Sequence, residues 1–263
     1  MPSQIRIIPR LDVKNNTIVK GIHLEGLRVV GQPAELAQKY FEQGADELLY
    51  MDAVASLYER NSLSDIIRQT AERIFIPLTV GGGIRSVENV RDILRAGADK
   101  VAINTAAIRR PELIREISER FGSQCVVVSI DAKKKGENKW EAYVDTGREA
   151  TGVDAVEWAQ KAVDLGAGEI LITSIDQEGT KKGMDIELIK KISQYVPIPV
   201  IACGGVGEAG HIVQAIKGTD LSGVSCASIL HYNLSDIQSI KENLVKNSIN
   251  VRLKNDEKEY SYR

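Results

Sequence analysis

A chain of 263 residues with 43% hydrophobic and 27% charged side chains has the size and make-up of one barrel-sized globular domain. Its formal net charge of −2 excludes bulk attraction to nucleic acid or to an anionic membrane, so an anionic ligand would have to be held by local features. No apolar run approaches the ~20 residues of a membrane span, and residues 1–6 lack the pattern of a secretion signal. Cys125, Cys203 and Cys226 include no CxxC pair, so the chain reads as cytoplasmic, with all three thiols as small buried core residues.

Taken in order, short apolar runs alternate with amphipathic ones. A strand over residues 6–11 ends on Asp12 and leads into a long connection, Lys14 to Gly31, that carries Lys20. A helix over 34–43 and a strand over 47–51 follow, then a helix over 62–73 and a strand over 77–80 that opens onto Gly81-Gly82-Gly83. The next helix covers 87–96, and a strand over 100–103 leads to Asn104-Thr105. Pro111 suits the first turn of a helix over 112–121, and a strand over 126–130 ends on Asp131. A hairpin-like insert at 134–149 precedes a helix over 155–165, a strand over 169–173 and a helix over 186–195. The strand over 200–203 meets Gly204-Gly205. After a helix over 209–216, the strand over 223–226 meets Ala227-Ser228. Ser235 and Gln238 fit a capping box for a last helix over 236–246, and the polar tail 255–263 reads as frayed. The strands are continuously apolar, as parallel strands covered on both faces are. Eight β-then-α units imply a (β/α)₈ barrel, with an open doubly wound sheet as the alternative.

An internal repeat favours the barrel. Gly44-Ala45-Asp46-Glu47-Leu48-Leu49 matches Gly166-Ala167-Gly168-Glu169-Ile170-Leu171. Ile76-Pro77 followed by Gly81-Gly82-Gly83 matches Ile198-Pro199 followed by Cys203-Gly204-Gly205. Two half-barrels, about 1–123 and 124–254, of four units each account for this pattern, whereas an open sheet gives no reason for it.

The repeat also organises the candidate chemistry. Gly82 and Gly83 with Asn104 and Thr105 form one potential phosphate cradle, and Gly204 and Gly205 with Ala227 and Ser228 form a second. A single glycine cluster would more simply permit a tight turn, but two clusters, each partnered by a hydroxyl one unit later, point to a substrate with two phosphates. Asp12 and Asp131 end opposite strands at the catalytic end of a barrel, where a carboxylate pair can divide acid and base roles; the plainer alternative is helix capping or pairing with a nearby lysine. Lys20, on a lid-like connection, could reach a phosphate, although an isolated lysine is usually solvated. Arg6, Glu47, Lys100 and Glu169 each begin a strand and could form a charged ring across the barrel floor, or an ion-pair plug that simply seals it. His23, His211 and His231 have no metal-ligand spacing, so no metal or cofactor is expected.

Arg6-Ile7-Ile8-Pro9-x-Leu11-Asp12-Val13-Lys14, Val19-Lys20-Gly21, Thr79-Val80-Gly81-Gly82-Gly83-Ile84, Ile103-Asn104-Thr105-Ala106-Ala107, Ile130-Asp131-Ala132-Lys133 and Asn250-Val251-Arg252-Leu253 together resemble the cyclase subunit of imidazole glycerol phosphate synthase over nearly the whole chain. The resemblance implies a duplicated (β/α)₈ fold and a ribulosyl aminoimidazole carboxamide nucleotide as the bis-phosphorylated substrate. It implies ammonia supplied by a partner glutaminase in a heterodimer, which closes the imidazole ring and releases the aminoimidazole carboxamide ribotide. By position it makes Asp12 the general base and Asp131 the general acid, with Lys20 assisting. One phosphate falls to Gly82, Asn104 and Thr105, and the other to Gly179, Gly205, Ala227 and Ser228. Arg6, Glu47, Lys100 and Glu169 become the ammonia entrance, and Asp99 falls on the glutaminase-docking face.

Three features depart from that family, one being the loop Asp145-Thr146-Gly147-Arg148, which lacks its common His-Gly-Trp sequence. Arg10 stands where the family usually has Cys, and Glu178, which joins Asp12, Asp131 and Lys20 as a catalytic residue by position, stands where it usually has Asp. Period-two alternation points Arg10 into the barrel with Asp12, so its guanidinium needs Asp12 or Asp52 as a partner. These departures raise two alternatives: a divergent paralogue using ammonia on another phosphorylated or nucleotide-linked sugar, as in surface-polysaccharide amidination, or a non-catalytic phosphate-binding scaffold for a glutaminase. The sister isomerase of histidine synthesis fits the lid and the chain ending less well.

Overall fold

Eight parallel strands pair edge to edge and close into a cylinder in a computed structural model that describes residues 4–53 and 63–254. They are β1 (Arg6–Lys14), β4 (Leu48–Asp52), β5 (Leu78–Gly81), β6 (Lys100–Ile103), β7 (Val126–Gly136), β10 (Glu169–Ser174), β11 (Val200–Cys203) and β12 (Gly223–Cys226). Consecutive barrel strands are neighbours throughout, and β12 returns to β1 through the register Arg6↔Gly223 to Pro9↔Cys226, which leaves no open edge. The chain is therefore a (β/α)₈ barrel, and β1 and β7 face each other with three strands between them on either side.

Side-chain alternation along these strands separates two cores. Ile7, Leu11 and Val13 point outward into the large cluster beneath the helices, with Tyr50, Val80, Val128, Ile130, Ile172 and Ala202. Ile8, Leu49, Ala102, Val127, Leu171, Ile201 and Cys203 point inward and fill the lumen. Both faces are buried, which is why the strands read as unbroken apolar runs.

Helices α1 (Pro33–Glu42), α2 (Ser64–Ala71), α3 (Val87–Ala96), α5 (Glu112–Phe121), α6 (Ala155–Asp164), α7 (Ile186–Tyr195), α8 (Ala209–Lys217) and α10 (Ile237–Lys246) surround the cylinder, with short α4 (Thr105–Arg109) and α9 (Ser228–His231) after β6 and β12. Their starts follow local chemistry: Ser86, Asp154 and Asp185 each accept a hydrogen bond from a first-turn N–H. The last helix departs from expectation. Its cap is Asp236, which accepts from the Ser239 N–H at 2.8 Å, rather than Ser235 paired with Gln238; a carboxylate meets the helix dipole better than a neutral hydroxyl. Residue 62, at the expected start of α2, and the tail 255–263 lie outside the described residues.

The segment expected as a long loop is instead regular structure. β2 (Thr17–Ile22) and β3 (Glu25–Gly31) form an antiparallel hairpin that continues β1. β8 (Lys139–Val144) and β9 (Glu149–Asp154) do the same for β7, as the hairpin-like pattern there predicts. Cys203 and Cys226 are buried, but Cys125 is only half-buried, because it sits in the short turn before β7 and not within it.

Candidate active site

Asp12 and Asp131 occupy equivalent positions. Each lies where a barrel strand passes into its hairpin: Asp12 pairs with Val19 and Met51, and Asp131 with Tyr143 and Thr173. Both carboxylates are buried and line one cavity of about 280 Å³ at the C-terminal end of the barrel. Gly82, Gly83, Asn104 and Thr105 line the same cavity, while Leu24 and Leu27 of the first hairpin and Asp145, Thr146 and Arg148 of the second form parts of its wall. Arg85, Arg109 and Arg110 add positive charge to this lining. Sequence reading missed these arginines, because single arginines at loop and helix ends carry no pattern.

The two acids have different surroundings. Arg10 Nε donates to Asp12 Oδ1 at 2.8 Å, and Lys20 Nζ lies 3.8 Å from Asp12 Oδ2. Asp12, not Asp52, is thus the partner of the Arg10 guanidinium in this pair. Burial pushes the Asp12 carboxyl up, but Arg10 and then Lys20 more than reverse this, leaving it below the ordinary carboxylate range. Asp131 accepts a 3.0 Å hydrogen bond from Asn104 Nδ2. Burial, with the Asp12 charge in support, holds its carboxyl above the ordinary value despite Arg10 and Asn104. A pair split in this way biases one carboxyl toward its ionised form and the other toward its protonated form in the same cavity.

Asn104 therefore orients an acid with its side chain: the amide donates to Asp131 and to the Tyr143 carbonyl at 3.1 Å, which leaves only its backbone position for an anion. The Thr105 hydroxyl accepts from the Asp145 N–H at 3.0 Å and keeps its own proton available.

Lys20 is buried rather than solvated. Its ammonium contacts the Glu178 carboxylate, and burial, the largest cause, pushes it below its usual pKa. The hairpin tip is latched to the same loop: the His23 N–H donates to the Glu178 carbonyl and His23 Nδ1 hydrogen-bonds to the Ile175 carbonyl, both at 2.8 Å. Leu24 packs on Tyr143 and Ile175. Gly179 passes so close beneath the hairpin that a Cβ there would lie 2.5 Å from the Gly21 carbonyl oxygen. As a result Gly179, Gly204, Gly205, Ala227 and Ser228, though gathered as predicted, surround only about 10 Å³, roughly the room of one water molecule. Ser225 joins this lining with a buried, unpartnered hydroxyl; sequence reading took it for an ordinary strand residue.

At the opposite end Arg6, Glu47, Lys100 and Glu169 close a ring. Arg6 Nη1 meets Glu47 at 2.9 Å and Arg6 Nη2 contacts Glu169, while Lys100 Nζ bridges Glu47 at 2.9 Å and Glu169 at 3.1 Å. Thr79 adds a 2.5 Å hydrogen bond to Glu47. Asp99 is exposed beside the ring, with one carboxylate oxygen accepting from the Leu78 N–H at 2.8 Å. Near it stands Phe75, 85% exposed, which sequence reading passed over. His231 is half-buried and plays a structural part. Burial lowers its pKa to about 4, and its ring bridges the Tyr40 hydroxyl and the Arg10 carbonyl.

A closed (β/α)₈ barrel with an opposed, electrostatically split acid pair at its C-terminal mouth defines the general class. Comparison with known proteins gives the particular family. Residues 6–236 match the family model described as histidine biosynthesis protein, and the chain belongs to that family. It is 62% identical over 206 residues to the imidazole glycerol phosphate synthase subunit HisF of Legionella pneumophila, covering 78% of this chain and 97% of that protein. It is 51% identical to the subunit of the same name from Bacillus cereus (strain G9842) and 50% identical to that of Methanococcus vannielii, each comparison covering 94% of this chain and 98% of the relative.

Proposed function

We propose that this chain is the cyclase subunit of imidazole glycerol phosphate synthase, acting in the cytoplasm. It uses ammonia from a glutaminase partner to convert the ribulosyl aminoimidazole carboxamide nucleotide into imidazole glycerol phosphate and the aminoimidazole carboxamide ribotide. The observation that carries the catalytic part is the acid pair: Asp12, which Arg10 and Lys20 push toward the ionised form, is the base, and Asp131, which burial pushes toward the protonated form, is the acid. Lys20 and Glu178 hold the hairpin over the site. One substrate phosphate sits at Gly82, Gly83, Asn104 and Thr105, and the other at Gly179, Gly204, Gly205, Ala227 and Ser228. Because the second cradle measures only about 10 Å³, the hairpin has to lift for that phosphate to seat. Arg6, Glu47, Lys100 and Glu169 are the ammonia entrance, and Asp99 and Phe75 belong to the face that the glutaminase covers. We read the two halves as a duplicated half-barrel. In support, equivalent residues share unusual backbone: Asn104 and Ala227 have φ/ψ of −126/−85 and −129/−77, and Gly82 and Gly204, like Gly83 and Gly205, have positive φ.

The shared name of the relatives favours this function over a polysaccharide paralogue or a scaffold. A steady-state assay with ammonium salt and the ribulosyl nucleotide tests it. Turnover that vanishes in Asp12→Asn and in Asp131→Asn is the expected result; tight binding without turnover in the parent overturns it.

A further inference from the structure

Between the floor ring and the acid pair the lumen is filled in steps of two residues along each strand. Above Arg6, Glu47, Lys100 and Glu169 come Ile8, Leu49, Ala102 and Leu171, packed with Val127 and Ile201. This apolar stretch favours neutral ammonia over ammonium, because an unpaired charge there would lose its hydration. The next inward residue on β1 is Arg10, only 3% exposed. Its side chain does not stay on its own wall. Nε holds Asp12 at 2.8 Å, while Nη1 reaches Thr173 Oγ1 on β10 at 3.2 Å and Cys203 Sγ on β11 at 3.7 Å. β10 lies three strands from β1 around the cylinder, so the guanidinium crosses most of the lumen immediately below the acids.

We propose that Arg10 is a second closure of the barrel axis, set between the apolar lumen and the reaction cavity, which must leave Thr173 and Cys203 for ammonia to pass from floor to mouth. The proposal rests on the cyclase reading above and adds a control point to it. The unequal anchors give the closure a hinge. The Arg10–Asp12 bond is short and made to a carboxylate, whereas the contacts to the Thr173 oxygen and the Cys203 sulfur are longer. The head can therefore swing away from β10 and β11 while still tethered to Asp12. In its closed position it also separates water in the cavity from the dry lumen.

The two ammonia sources separate this role from an effect on Asp12. Free ammonia from an ammonium salt enters at the mouth and bypasses Arg10; glutamine-derived ammonia enters at the floor and does not. In the complex with the glutaminase, Arg10→Met and Thr173→Val should each raise the ratio of glutamine-driven to ammonium-driven turnover, by about threefold or more. Glutamine hydrolysed per product formed should fall in parallel. Thr173→Val is the decisive variant: it removes the Thr173 anchor and leaves the Arg10–Asp12 pair in place, and because Thr173 also hydrogen-bonds Asp131 the readout is the ratio, in which a change in that acid acts on both ammonia sources alike. A ratio unchanged or lowered in Thr173→Val, while the parent turns over with both sources, overturns the second closure and leaves the cyclase reading standing. Absence of ammonium-driven turnover in the parent overturns both.

Discussion

The two halves of the barrel place Asp12 and Asp131 alike but leave them in different electrostatic states. Asp12 and Asp131 stand at the same point of equivalent strands, each at the root of an antiparallel hairpin. In the first half a guanidinium and an ammonium flank the carboxylate and favour its ionised form; in the second Asn104 and Thr173 hydrogen-bond the carboxyl, and burial still favours the proton. The two glycine-lined cavities differ as well. The first opens into about 280 Å³, and the second is roofed by the other half's hairpin down to about 10 Å³. Like positions on opposite strands acquire two chemical characters through a few inward-pointing residues.

The strongest way to break this comparison is to neutralise each acid in turn. Asp12→Asn and Asp131→Asn should each lower kcat with ammonium by about 10²–10⁴-fold, the usual worth of a positioned acid or base. The pH profiles should differ in kind. Asp12→Asn should lose the acid limb of kcat/KM, where the base protonates, and Asp131→Asn the alkaline limb, where the acid ionises. Loss of the same limb in both variants would dissolve the division of roles.

Lys20→Met comes next. Removing one member of a buried ion pair strands the other, typically at a cost of about 3–5 kcal/mol if nothing relaxes. Here the hairpin can relax by opening, so the expected signature is local: amide exchange over residues 17–31 should speed up about tenfold or more while β7 and its hairpin stay protected. Uniform acceleration across the barrel would show that Lys20 supports the whole fold and is no latch. Arg10→Met sharpens the asymmetry more gently. Without the guanidinium the Asp12 pKa rises, so the acid limb of kcat/KM moves to higher pH. The sign for stability agrees. A carboxylate with a depressed folded pKa contributes stability above its unfolded pKa and loses it as pH falls through the folded one. The variant should therefore be less stable than the parent at neutral pH, with the gap narrowing in acid, as measured by urea unfolding.

These contrasts also mark what the sequence could disclose. The barrel strands were legible because burial on both faces leaves continuous apolar runs, and the repeat identified Asp12 and Asp131 as a pair. The first hairpin was not. Its second strand, Glu25–Gly31, is largely exposed and so has no buried alternation, and its tip turns through His23 and Leu24 at positive φ with no glycine at either position to announce it. The Lys20–Glu178 contact joins residues 158 apart, which no local pattern encodes. Arg10 showed that it needed a carboxylate, but its reach to Thr173 and Cys203 depends on barrel closure.

The smallest expected effect concerns the floor, where the halves differ most in charge. Three of the four ring residues, Arg6, Glu47 and Lys100, belong to the first half, and only Glu169 comes from the second. Asp99 and the exposed Phe75 also lie in the first half; the position equivalent to Phe75 is Pro197. A glutaminase that reads this surface should lean on the first half, with Phe75 as an aromatic anchor beside the charged ring. Phe75→Ser should then weaken heterodimer formation about tenfold in a titration while thermal unfolding of the isolated barrel stays unchanged, because an exposed ring contributes little to the core. Tyr195, 52% exposed at the end of α7 in the second half, is the matched control. Tyr195→Ser should leave the affinity as it was. Equal losses from both substitutions would show that the partner covers the floor symmetrically, and would confine the difference between the halves to the catalytic end.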